Sequence, residues 1–190
     1  MNCTNPLTRI CRRPVLAFVS LLAGALFTAS ASGQTCPLYP IALSSQTLAT
    51  ATPGTVLTNI WNGTEPGNFG WLSWTGDAGE TTLVDSLSQP GNSLTYINPD
   101  NANDHQLVAG DWVSSRPGVA NGKHVRANLN ALIGQQIVVP VWDQARGTGD
   151  NAAYHIIAFA IVQLVNYDLP KENRITAQFL GYADCGSPQQ

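Results

Sequence analysis

A chain of 190 residues with 12 acidic and 9 basic side chains carries a formal charge of −3, and only 11% of its residues are charged. So sparse and slightly acidic a surface excludes the basic footprint that nucleic acid requires, and excludes polybasic attachment to anionic lipid. An apolar fraction of 44% is ample for a packed core, and four cysteines are too few for a disulfide-dense scaffold.

The N-terminus reads as a targeting segment. Arg9, Arg12 and Arg13 precede an apolar run from Val15 to Phe27, and Ala29-Ser30-Ala31 supplies the small residues of a cleavage site. This pattern predicts a secretory signal peptide over residues 1–31, with one β-rich extracytoplasmic domain over 32–190. Removing the leader leaves six basic residues against twelve acids, a formal charge of −6. Cys3 and Cys11 leave with it, so Cys36 and Cys185 remain. Two cysteines in an exported chain are expected to form one disulfide, clasping the two ends of the domain. No further hydrophobic span follows, so the expected location is extracellular, cell-surface or periplasmic.

In chain order, Thr55 to Ile60 reads as a short strand, followed by the turn cluster Asn62 to Asn68. In "FGWLSW", Trp71 and Ser73 point one way and Leu72 and Trp74 the other. "GETTLVDSLSQPG" holds a short helix with Leu83, Val84 and Leu87 on one face, ended by Pro90-Gly91. Asn98 to His105 is a polar surface loop. "QLVAGDWVSSRPG" reads as a strand with a bulge or turn at Gly110-Asp111. "NGKHVRANLNALIG" is an amphipathic helix: Val125, Leu129, Leu132 and Ile133 form its stripe, Asn121 is the expected N-cap and Gly134 the residue after the C-cap. His124 and Arg126 are expected to be solvated.

The densest stretch is "IVVPVWDQARGTGDNAAYHIIAFAIVQL", residues 137–164. In its first strand Ile137, Val139 and Val141 share a face, and Val138, Pro140 and Trp142 share the other. Pro140 donates no ladder bond and suggests an edge or a bulge. In its second strand Ile157, Phe159 and Ile161 oppose Ile156, Ala158, Ala160 and Val162. Two apolar faces predict a central strand covered on both sides. Arg174 to Tyr182 reads as the last strand. The β-branched runs punctuated by Gly, Pro and Asn predict a mainly β single domain, a β-sandwich or partly closed barrel, with one or two short helices.

Between the two strands, Asp143 to Ala152 reads as a polar connector. Two sharper readings compete with that. Asp143 or Asp150 with His155 has the residue types of a general acid/base pair, but no Gly-x-Ser-x-Gly elbow or His-Glu-x-x-His accompanies it. Asp143, Asp150 and Asn151 could supply oxygen ligands to a cation, although "GTGDN" occurs once and does not repeat. The expectation is therefore no catalytic residue, no metal and no cofactor. The residues from which a ligand cleft could be built are Asp111, Trp112, Asp143, Asp150 and His155.

The order of "GNFGWLSW", "AGDWVSSRPGV", the helix "VRANLNALIG", "IVVPVWD", a Gly-rich loop and "YHIIAFAIVQLVNYDL" resembles the extracytoplasmic domain of TadE/TadG-like Flp pilus-assembly proteins and related secreted bacterial surface proteins. The resemblance runs from about Pro37 to Cys185. It implies an exported, non-catalytic structural or interaction module of the envelope, with a role in pilus assembly or adhesion. Its partners would be other envelope or surface proteins, or polysaccharide. The alternative is a small secreted hydrolase or carbohydrate-binding domain in which Asp111, Trp112, Asp143 and His155 converge on one cleft.

Overall fold

Residues 41–44 and 69–73 are buried at every position, as strands covered on both faces require, whereas residues 174–179 alternate between buried and partly exposed. A computed structural model describes residues 36–65, 68–88, 91, 93–118 and 120–185, all within one compact unit. The expected leader, with Cys3 and Cys11, lies outside the described residues. The strands are β1 (Ile41–Ser44), β2 (Val56–Trp61), β3 (Phe69–Ser73), β4 (Trp112–Ser115), β5 (Gln136–Arg146), β6 (Ala153–Asp168) and β7 (Arg174–Ala183). The helices are α1 (Ser45–Leu48), α2 (Glu80–Leu87) and α3 (Lys123–Leu132). The domain is mainly β, as expected, with α1 a single additional turn. No helix among the described residues is long and apolar enough to cross a membrane.

The sheet runs β2-β7-β6-β4-β3-β1-β5, and a further β6–β5 pairing joins its end back to its middle. Five strands (β6, β4, β3, β1 and β5) therefore close into a barrel. The 16-residue length of β6 makes this possible. Its first residues pair with β4, its later ones with β7, and β5 runs along its other side. A strand with three partners is the central strand the sequence predicts.

Every barrel strand except β4 sends alternate residues to two cores. Ala42, Leu72, Val113, Trp142, Tyr154 and Ile156 belong to the inner one. Gly70 also faces inward, where a Cβ would overlap the Tyr154 ring. The absent side chain is thus what lets that tyrosine cross the barrel. The outer core joins Ile41, Trp71, Val139 and Val141 on the barrel wall to Leu83 of α2 and Leu129 of α3. The tail of β6 with β7 and β2 wraps it, through residues such as Val162 and Phe179. Trp71 and Trp74 accordingly lie in different cores, as alternation along β3 requires. Cys36 and Cys185 are disulfide-bonded across 149 residues, with Cα atoms 5.4 Å apart.

Several local expectations need correction. Pro140 is at neither a sheet edge nor a β5–β6 bulge. The Val138 carbonyl accepts from Tyr39 N–H on the β1 side, and residues two apart face the same way. The missing Pro140 N–H therefore points into the gap between the Leu38–Val138 bridge and the Leu43–Val141 pairing. The β5–β6 register shifts twice, pairing Val141 with Ala158, Trp142 with Ile156, and Gln144 with His155. Asp143 and Ile157 are the extra residues, so alternation breaks at both. Ile157 turns to solvent at 40% exposure, while Phe159 is 2% exposed and joins Ile156 in the inner core. Of the faces assigned to β6, Ala158, Ala160 and Val162 do lie together against the outer core, whereas Ile156 joins Phe159 on the opposite face and Ile157 parts from it.

The connector is also shorter than expected. β5 continues to Arg146, leaving residues 147–152 as the turn and Asp143 within a strand. Helix α3 starts from Gly122, without a side-chain cap. Asn121 instead accepts from Arg126 Nη1, through both its carbonyl and its Oδ1, so Arg126 is not simply solvated. Ile133 falls at the C-cap, off the buried stripe, and is 39% exposed. Gly134, at φ +78°, ends the helix in the left-handed conformation expected of it.

Candidate functional site

The β4–β6 pairing places Val113 opposite Tyr154 with both side chains inside the barrel. Their neighbours Trp112 and His155 therefore share the outer wall, where β5 adds Gln144 opposite His155 and Arg146 opposite Ala153. Asp143, next to the inward-facing Trp142, lies on the same wall, and because it is the extra residue of a bulge Gln144 faces outward too. Its Oδ1 lies 2.7 Å from His155 Nδ1, both side chains being partly exposed. The His155 ring leans on Trp112 at 47°, with centroids 5.3 Å apart. The Arg146 guanidinium carbon sits 4.1 Å from the Trp112 ring centroid, a cation–π arrangement, and Arg146 is ion-paired with Asp100.

Asp111 joins from the preceding turn. Gly110, at φ +105°, reverses the chain just before β4. Gly110 N–H donates to Ile156 O, and Ile156 N–H donates to Asp111 O, so this segment continues the ladder along β6. Asp111 Oδ2 accepts from Val108 N–H at 2.8 Å, and Oδ1 accepts from Asn98 Nδ2 at 3.3 Å. Partial burial raises the Asp111 carboxyl above its ordinary pKa, the Val108 N–H opposes this, Asp104 adds to it, and His155 opposes it.

The loop beneath is more ordered than a polar surface loop. Asn98 is buried, and its Oδ1 accepts from Asp100 N–H. Asn101 accepts from Asn103 N–H, and Asp104 from Gln106 N–H. The Asn/Asp-rich composition thus encodes successive side-chain-to-backbone turns. Tyr96 Oη donates to the Trp112 carbonyl at 2.9 Å from a fully buried position, and burial holds its pKa far above the ordinary phenol value.

Four of the five expected cleft residues (Asp111, Trp112, Asp143 and His155) therefore gather on one patch of the barrel wall. Asp150 does not. It is exposed in the 3₁₀ turn Gly149–Asn151, and no hydrogen bond or ion pair joins it to the patch. Asp100, Asn98, Asp104 and Arg146 are partners that sequence reasoning missed. Arg146 follows Gln144 by two residues on the same strand, so its face becomes readable only once the bulge at Asp143 is known.

Chemically, Asp143 orients His155 as a carboxylate orients a general base. No hydroxyl or thiol among the described residues hydrogen-bonds that histidine. Among the described residues no three His, Cys, Asp or Glu side chains are grouped to hold a metal ion. Two cavities among the described residues are lined by other side chains, one beside the disulfide and one at the end of the barrel near the β5–β6 turn. Comparison with protein-family models, with curated proteins and with solved structures gives no match.

Proposed function

We propose that this chain is an exported, non-catalytic structural or interaction module of the bacterial envelope, acting in surface assembly of the TadE/TadG-like pilus or adhesion type. The observation that carries this reading is how the wall patch uses its own charges. Arg146 is engaged by Asp100 and Trp112, His155 by Asp143 and Trp112, and Asp111 by Val108 and Asn98. The Arg146–Asp100 pair ties the 98–111 loop to the β5–β6 hairpin and the other pairings brace the two sides, the work of a structural lock. The Cys36–Cys185 disulfide supports the export half, because such bonds persist in oxidising compartments.

The alternative, a small secreted hydrolase or carbohydrate-binding domain, is favoured by the convergence of Asp111, Trp112, Asp143 and His155. Against it, Arg146 covers one face of Trp112 and His155 leans on the same ring, so the indole is not a bare platform for a sugar. Fractionation of the native host, followed by partner capture with the parent and with the Asp143→Asn, His155→Ala double variant, separates the two. A processed, disulfide-bonded protein that holds the same envelope component in both forms is the expected result. A cytosolic protein with free thiols overturns the export reading. A hydrolytic or glycan-binding activity lost in the double variant overturns the non-catalytic one.

A further inference from the structure

The chain leaves β4 at Ser115, and Arg116 N–H is pinned to the Trp71 carbonyl at 2.8 Å. From there the Arg116 side chain lines a groove of about 380 Å³ at the end of the barrel. Four connections wall the groove: those following β2, β4, β5 and β6, represented by Gly63, Gly118, Gly149 and Asn173. Two features of this groove point to a missing partner.

The first is the guanidinium. Its Nε and Nη1 are buried without a hydrogen-bond partner, and it makes no ion pair with a described residue. The other described arginines are all engaged, Arg126 by Asn121, Arg146 by Asp100 and Arg174 by Glu172. A partly buried cation without a counter-charge is a costly arrangement that a bound anion relieves. The second is Asn173, which lines the same groove and whose Oδ1 is a buried acceptor that also lacks a donor. The walls leave room as well. Gly118, Gly149 and Asn173 sit at φ +82°, +57° and +46°, and a Cβ at Gly118 or Gly149 would meet open space.

We propose that this groove binds a small carboxylate ligand, with its carboxylate on the Arg116 guanidinium and a neighbouring hydroxyl or N–H beside Asn173. A single arginine, with no lysine or second arginine among the described residues of the groove, matches a monoanion better than a phosphate dianion. The volume falls in the range of small-molecule sites and suits one sugar acid or one terminal residue of a peptide. The inference is independent of where the protein resides and of the role of the wall patch.

The test is an NMR titration of the intact domain with sodium glucuronate, N-acetylglycine, glucose and inorganic phosphate. One or both carboxylates should give saturable shifts at Ser115, Gly118, Gly149 and Asn173, whereas glucose should give none. Saturation by glucuronate alone identifies a sugar acid, and by N-acetylglycine alone a peptide terminus. Arg116→Gln should weaken binding by about ten- to a hundredfold, the loss expected for a charge-assisted hydrogen bond. Asn173→Gly, which keeps the left-handed backbone accessible, should weaken it less and serves if Arg116→Gln fails to fold. No saturation by either carboxylate at about 50 mM, far above the dissociation constant of a millimolar site, overturns the proposal. So does phosphate binding as tightly as the carboxylates, or unchanged affinity in both variants.

Discussion

The double bulge between β5 and β6 makes a sharp energetic prediction, because it separates two residues that strict alternation would place together. Phe159 is 2% exposed within the inner core, whereas Ile157 is 40% exposed on the bulge. Phe159→Ala should cost about 3–5 kcal/mol, since the ring is enclosed and the barrel around it is closed by hydrogen bonds that limit collapse into the cavity. Ile157→Ala removes three carbons, each worth about 0.8 kcal/mol when buried, and their partial exposure reduces the loss to about 1.5 kcal/mol. Urea denaturation followed by tryptophan fluorescence gives both values, provided the two variants share the parent's m-value. Equal losses would refute the bulge and restore the alternation in which both side chains share a face.

Three other outcomes follow from the same packing. Gly70→Ala should destabilise by about 1–3 kcal/mol or more, since its Cβ would overlap the Tyr154 ring, and thermal melts measure the loss. Cys36→Ser should lower stability by about 5 kcal/mol on loop entropy across the 149-residue separation, and an unchanged melting temperature would mean that the clasp contributes nothing. Asp111 has a raised folded-state pKa, so its contribution to stability is present below the unfolded value of 3.8 and is lost as pH rises through the folded value. Asp111→Asn should flatten the fall in stability over that window, as read from chemical denaturation at stepped pH; an unaltered pH profile would mean the carboxyl is not perturbed.

The sequence by itself was enough for the features that depend on local periodicity or on counting. The opposed faces of Trp71 and Trp74, the β5 face of Ile137, Val139 and Val141, and the α3 stripe through Val125, Leu129 and Leu132 all follow from residue spacing along one element. The Cys36–Cys185 bond followed from there being two cysteines beyond the expected leader. Tertiary structure decided the rest. The strand Ile41–Ser44 is four residues long and acquires its role only by pairing with β3 and β5. Closure of the barrel depends on one strand having three partners, and the bulges at Asp143 and Ile157 depend on register with β6 and β5. A bulge shifts every later side chain to the other face, so Gln144 and Arg146 turned outward beside Asp143 and His155 on the wall. The isolation of Arg116 was equally illegible, because whether a charge finds a partner is settled by which loops meet in space and not by its neighbours along the chain.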